Sequence, residues 1–158
     1  MSEVAVTVQA RARVDAATAF DAIAPVDLTR VFPGMGLVPA VVSVRDQVGD
    51  WDRAGQTRVA VLADGSEAHE ELTAVQRPEH FAYNLRIGGT LGRVVPTAQG
   101  AWWFASADRP PGAATDIRWT YTFHPRPGAG VLVRLLLVPL WRRYARRSLA
   151  LAVAIAEA

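Results

Sequence analysis

Glu70 and Glu71 stand side by side in "EAHEELTAVQ" (residues 67–76), where a strand would send them to opposite faces. If Leu72 and Ala74 point inward, so does Glu70, placing one carboxylate in an apolar interior. Such a group has to be paired, hydrogen-bonded or neutral. Arg58, on the preceding strand, is the nearest partner in sequence terms. An alternation that buries Val59 and Val61 turns Arg58 outward, however, so an exposed cross-strand salt bridge is the plainer reading. An internal Glu70 near Tyr83 or Tyr121 would be a different matter. It could act as a general base for enolisation or aldol cyclisation, with Tyr121 as the hydroxyl partner in proton transfer.

Other chemistry is thin. His69, His80 and His124 are scattered without ligand spacing, so no metal site is expected. No Gly-x-Ser-x-Gly elbow is present. "GGTLG" (88–92) leads into a strand instead of a helix, with the wrong spacing for a phosphate loop, so no cofactor is expected. It reads as a flexible hairpin connection whose Leu91, Val94 and Val95 could gate a cavity. The chain has no cysteine, and all 17 basic residues are arginine, which removes thiol nucleophiles and lysine Schiff bases. The same arginine bias explains a pI of 9.7 at a net charge of +2, so the basic pI is weak support for nucleic acid and none is expected as a partner.

These groups need elements to position them. At 158 residues, with no internal repeat or linker, the chain reads as one domain, 1–158. Val4, Val6 and Val8 alternate in a strand running to Val14. Asp15 caps a short helix with Ala19, Phe20 and Ile23 on one face, Pro25 ends it, and "VDLTRVF" gives a second short helix before the turn "PGMG". Period-two stretches follow, with Val38, Ala40, Val42 and Val44 sharing one side, Val59 and Val61 another, and a hairpin at Asp64-Gly65. Phe81, Tyr83, Leu85 and Ile87 form one inward stripe; Ile117, Trp119, Tyr121 and Phe123 form a second. Trp102 and Trp103 must point oppositely, and Trp102 is taken as internal because Phe104 shares its side. Pro-Gly pairs at 110–112 and 125–128 mark connections. Six or seven antiparallel strands, two short helices and one long terminal helix make an α+β chain.

"VLVRLLLVPLWRRYARRSLALAVAIAEA" (131–158) is too short in apolar run to span a bilayer, since Arg134 interrupts it and four arginines follow Trp141. A helical wheel places Val133, Leu137, Leu140, Tyr144, Leu151 and Ile155 on one stripe, with Trp141 and Ser148 at its edge. Arg142, Arg143, Arg146 and Arg147 lie opposite and read first as a solvated face, with membrane surface contact a secondary reading. Pro139 should kink the helix or separate its first turn from the main body. The first residues alternate around Glu3 without an apolar core of a signal peptide, which makes the cytoplasm the expected location.

This order of elements matches the helix-grip fold, a curved antiparallel sheet wrapped around a long C-terminal helix, with two short helices after the first strand. In detail, Gly55-Gln56-Thr57-Arg58, Asp64-Gly65, Glu70-Glu71-Leu72-Thr73, Phe81-Ala82-Tyr83, "WTYTFHPR" and "LWRRYARRSL" resemble polyketide cyclase/dehydrase-like proteins of the SRPBCC (START-like) superfamily. The resemblance runs through essentially the whole chain. It implies an apolar cavity between sheet and helix but supplies no shared catalytic constellation. The expected function is binding of a hydrophobic or aromatic small molecule, lipid- or polyketide-like. Its contacts would come from Phe81, Tyr83, Trp102, Phe104, Trp119, Tyr121, Leu137, Leu140, Tyr144 and Leu151. The alternative is a cyclase, aromatase or dehydratase working through Glu70 and Tyr121. A homodimer stays open.

Overall fold

A computed structural model describes residues 3–107 and 112–158. Pro110 and Pro111, read above as part of a connection, lie outside the described residues. Seven strands form one antiparallel sheet in the order β1-β7-β6-β5-β4-β3-β2. They are β1 (Val4–Ala12), β2 (Val41–Arg45), β3 (Thr57–Leu62), β4 (Glu67–Gln76), β5 (His80–Ile87), β6 (Thr97–Ser106) and β7 (Thr115–His124). Helices α1 (Ala16–Ile23) and α2 (Leu28–Val31) follow β1, and α3 (Gly89–Val94) joins β5 to β6. The terminal helix runs as α4 (Gly130–Leu132), a π-helical turn (Val133–Leu137) and α5 (Val138–Glu157). This is the helix-grip α+β architecture.

Local sequence explains most of it. Asp15 accepts a hydrogen bond from the Thr18 amide at 2.7 Å and so caps α1, whose Ala19, Phe20 and Ile23 are buried. Strict alternation holds in β1, β5 and β7, where every second side chain reaches the core. Three readings need correction. In β2 a bulge between Val41 and Ser43 breaks the period, so Val41 and Val44 pack on the core while Val42 is exposed. In β3 the sides are exchanged: Arg58, Ala60 and Leu62 face the interior. Val59 is buried too, from the other side, so hydrophobicity alone does not tell the two faces apart.

The third correction concerns "GGTLG", which forms the helical turn α3. Gly92 permits it, because a Cβ there would lie 2.0 Å from the Ile87 carbonyl oxygen, so only a residue without one lets the turn fold back onto β5. Val95, at its end, is completely buried. Leu91 alone of the three residues read as a gate lines the interior space.

The terminal helix covers the concave face near β1 and α1. Its inward seam is Trp141, Tyr144, Ala145, Ser148, Leu149, Ala152 and Ala156. Leu137, Leu140, Leu151 and Ile155 are half-buried flanks of that seam. The cause is the π turn, which spends more residues per turn than an α-helix and so rotates everything after it relative to a wheel drawn from Val133. Pro139 follows directly, in the first turn of α5, where its missing N–H removes one bond from the ladder that runs on from the π turn.

One hydrogen bond fixes the helix to the loop before β2: the Gly34 amide donates to Tyr144 Oη at 3.0 Å. Tyr144→Phe should therefore cost about 1 kcal/mol in urea unfolding. It should also speed hydrogen exchange at the Gly34 amide ahead of amides in β6 and β7.

Candidate functional site

Between the sheet and α5 lies a cavity of about 150 Å³, with its walls supplied by α1, α2, β3 to β7 and α5. Phe81, Tyr83, Trp102, Trp119 and Tyr121 come from the sheet; Trp141, Tyr144, Ser148 and Ala152 come from the helix. The aromatic wall is ordered by ring contacts. Trp102 and Trp119 stack with centroids 4.6 Å apart, and Trp141 sits 4.5 Å from Tyr121, across the space from the sheet. Val38, Pro39, Leu62 and Leu91 lie at its more exposed end.

Tyr83 owes its place to a glycine. Gly100 is directly opposite it on β6, and a Cβ there would lie 2.2 Å from Tyr83 Cζ. The missing side chain lets the phenol ring lie across the sheet surface into the cavity.

A polar corner interrupts this apolar surface. Arg58 and Glu70 are register partners on β3 and β4, both lining the cavity and nearly inaccessible at 5% and 6%. Arg58 Nη2 donates to Glu70 Oε1 at 3.2 Å. The exposed salt bridge expected from the sequence is thus a buried one, and Glu71 is the carboxylate that faces solvent. The guanidinium also lies over the Trp51 ring, 3.9 Å from its centroid. Trp51 is fully buried in the β2–β3 loop with φ 59°, a left-handed conformation that costs a bulky residue about 1–2 kcal/mol.

Burial pushes the Glu70 carboxyl above the ordinary range, against the pull of the Arg58 charge. Burial likewise raises Tyr83 and Tyr121 far above a normal phenol; the Glu70 charge adds to the rise in both, and the two phenols reinforce one another at Tyr121. All three groups line the same cavity. The Trp102 and Trp119 indoles act on the Tyr83 hydroxyl in the opposite direction, although Trp119 Nε1 reaches no hydrogen-bond geometry.

Buried atoms without a protein partner concentrate here: Arg58 Nε, Trp119 Nε1, Trp141 Nε1 and Ser148 Oγ belong to lining residues, and Trp51 Nε1 lies just behind Arg58. Every one of them can donate a hydrogen bond. Orphaned buried donors each carry a desolvation cost of about 1–3 kcal/mol.

Of the residues singled out from the sequence, Glu70, Phe81, Tyr83, Trp102, Trp119, Tyr121 and Tyr144 meet at the cavity. Phe104 instead packs behind Phe81 against Phe20 of α1, at 5.4 Å between centroids. Leu137, Leu140 and Leu151 miss the lining for the reason given by the π turn. Sequence reasoning overlooked Trp51 and underweighted Arg58, Trp141 and Ser148. "WDRAG" did carry a signal, since a tryptophan in an otherwise polar loop needs somewhere to bury its ring. His80 takes no part: its Nδ1 is 2.8 Å from the Trp102 carbonyl oxygen and its ring stacks on Trp103 outside. Among the described residues no cluster of ligand-type side chains could hold a metal, and no helix is long and apolar enough to cross a membrane.

The buried pair makes a sharp thermodynamic test. Arg58→Leu strands a buried carboxylate and should cost about 3–5 kcal/mol near neutral pH, whereas Arg58→Leu with Glu70→Leu should recover most of it. Because Glu70's folded pKa is raised, protonation favours the folded state. The single variant's deficit should therefore be constant above that raised value and shrink as pH falls from it toward the ordinary carboxylate range. Urea titrations of both variants across pH check this; a deficit indifferent to pH would remove Glu70 as its cause.

The model of the family described as polyketide cyclase/dehydrase and lipid transport matches residues 3–157. No curated protein matches the chain in sequence. Among solved structures, norcoclaurine synthase from Thalictrum flavum, as a point mutant in complex with a transition-state analogue, is 15% identical with a TM-score of 0.65. The match covers 95% of this chain and 94% of that one. Ara h 8.0201 is 17% identical, TM-score 0.69, covering 98% of each chain. A protein from Nitrosospira multiformis is 15% identical, TM-score 0.68, covering 96% and 94%. At such identities the likeness is one of fold.

Proposed function

The chain belongs to the polyketide cyclase/dehydrase and lipid transport family of the SRPBCC superfamily, and on that premise we propose that it binds an aromatic small molecule bearing carbonyl or similar acceptor oxygens. The observation that carries this reading is an aromatic wall in which four lining residues each hold a buried donor without a protein partner. Stacked indoles and phenols favour a flat ring. Arg58, Trp119, Trp141 and Ser148 offer hydrogen to a guest, while Glu70 is the one carboxylate among the lining residues and is already engaged. A saturated acyl chain would fill the space and leave those donors unpaired. The size fits one ring held inside, since apolar cavities of about 150 Å³ admit benzene. Anything larger would extend through the end rimmed by Leu62 and Leu91.

Acetophenone and ethylbenzene are nearly isosteric and differ in the acceptor. By calorimetry acetophenone should bind several-fold to roughly thirtyfold more tightly, the range expected of one or two rescued donors. Trp141→Phe combined with Ser148→Ala should erode that preference. Equal binding of the two probes, or no binding of either, would overturn the reading. Native mass spectrometry of protein from its own source would identify a resident guest.

A second reading has its own observation: Glu70, Tyr83 and Tyr121 line the cavity together with an arginine. Convergence of titratable groups on one centre is what proton abstraction beside a carbonyl requires. Glu70 would take the proton from carbon, and the neighbouring donors would stabilise the enolate oxygen. Norcoclaurine synthase, which shares this fold at 14% identity, has been solved with dopamine and hydroxybenzaldehyde bound. The methyl protons of acetophenone in heavy water report directly on this step by NMR. Exchange accelerated by the protein and slowed at least about a hundredfold in Glu70→Gln, with Tyr121→Phe intermediate, is the expected result. Exchange no faster than in buffer would leave binding as the whole function.

A further inference from the structure

The arginine face looks different once the structure shows what precedes it. Val131, Leu132, Leu135 and Leu136 are 69%, 50%, 68% and 65% exposed, although they open the very helix whose later turns cover the core. They repeat at i, i+1, i+4 and i+5, so they form one outward face over two turns. The face continues into Arg142, Arg143, Arg146 and Arg147, all exposed, with Arg134 also exposed within the apolar part. From Ile117 to Ala156 the sequence holds seven arginines and no acidic residue. Isolated exposed leucines need no explanation, but a contiguous aliphatic face at a helix start does.

The neighbourhood extends the feature. Leu37, 93% exposed, sits beside Val38 and Pro39 at the cavity's open end, and Leu91, 42% exposed, lines that end itself. The segment entering α4 is fastened to α3 by Arg126, whose amide donates to the Val94 carbonyl and whose Nε donates to the Arg93 carbonyl, both at 2.9 Å. Arg93 and Arg126 thus add two further cations beside the aliphatic residues.

We propose that this surface docks on an anionic lipid bilayer. The aliphatic side chains of Val131, Leu132, Leu135 and Leu136 would enter the boundary between headgroups and acyl chains. The arginines flanking them would bind lipid phosphates, their stems lying along the apolar layer. A second copy of the chain is a poorer occupant. A two-fold contact through this face would bring Arg134 and its neighbours against the same arginines of the other copy with no carboxylate on the surface to separate them. A purely solvated helix would account for the arginines and leave the leucines unexplained. The inference stands on the helix exterior and is independent of what the cavity holds.

The test is co-sedimentation of the full chain with phosphatidylglycerol-containing vesicles and with pure phosphatidylcholine vesicles, at low and high salt. Binding to the anionic vesicles, weakened by salt, is expected. Leu135→Ser with Leu136→Ser should lower the bound-to-free ratio at least about tenfold on anionic vesicles. Arg142→Glu with Arg143→Glu should lower it by roughly tenfold or more on those vesicles only. All four side chains are exposed, so far-ultraviolet circular dichroism and acetophenone binding should match the parent chain. Absence of vesicle binding at low salt would overturn the proposal. So would binding indifferent to the leucine pair, or light scattering showing a dimer that the leucine pair dissolves without lipid.

Discussion

A single helix cannot cover the sheet that folds around it. Seven strands spaced about 4.8 Å apart present a face roughly 29 Å wide, and a helix with its side chains is only about 10–12 Å across. The chain resolves this mismatch unevenly. Ala145, Ala152 and Ala156 let α5 come close on the β1 side, where Glu157 accepts a hydrogen bond from the Arg13 amide at 2.6 Å and pins the helix end. Toward β3, β4 and β5 the helix does not reach, and large rings from the sheet, together with Trp141 and Tyr144, fill only part of what remains. The cavity is thus a remainder of geometry before it is a site. Curvature alone would produce one whatever the chemistry, and the identity of the lining side chains decides what enters.

That ordering of causes explains the Arg58–Glu70 pair. It lies on β3 and β4, away from the β1 side on which α5 packs. Placing two charges there is expensive, and each of the supports around them lowers the cost: register pairing across β3 and β4, and the Trp51 ring against the guanidinium. The support is itself strained, since Trp51 adopts a left-handed backbone to deliver its ring. A structure that needed only stability could have used two leucines.

How far the sequence discloses this depends on whether one face or two are buried. β5 and β7 have a wet side and a dry side, so Phe81, Tyr83, Trp102, Trp119 and Tyr121 are legible from alternation. β3 has Val59 buried on one side and Arg58 and Ala60 on the other, so the valines point to the wrong interior. The helix was legible as amphipathic, but its phase was not. One π turn moves the seam by a fraction of a turn, enough to exchange Leu140 and Leu151 for Trp141 and Ala152 at the cavity wall. Nothing in "VRLLL" announces that turn apart from the proline two residues beyond it. Exposed leucines are invisible for a related reason: in sequence they look like core, and only the rotated helix shows them facing out.

The tryptophans have one further consequence. Three of the chain's five, Trp102, Trp119 and Trp141, border the same cavity, a fourth lies against Arg58, and Trp103 is outside among the arginine and histidine of its strand neighbours. Two indoles stacked at 4.6 Å couple their strong far-ultraviolet transitions, so the pair should give an excitonic dichroism couplet there whose sign and splitting depend on ring separation and angle. Trp141, carried by the helix, lies 6.0 Å from Trp119. Any movement of helix against sheet therefore changes an optical signal that arises inside the cavity. The interior of this protein is its own chromophore, and its spectrum reads out the spacing between its two walls.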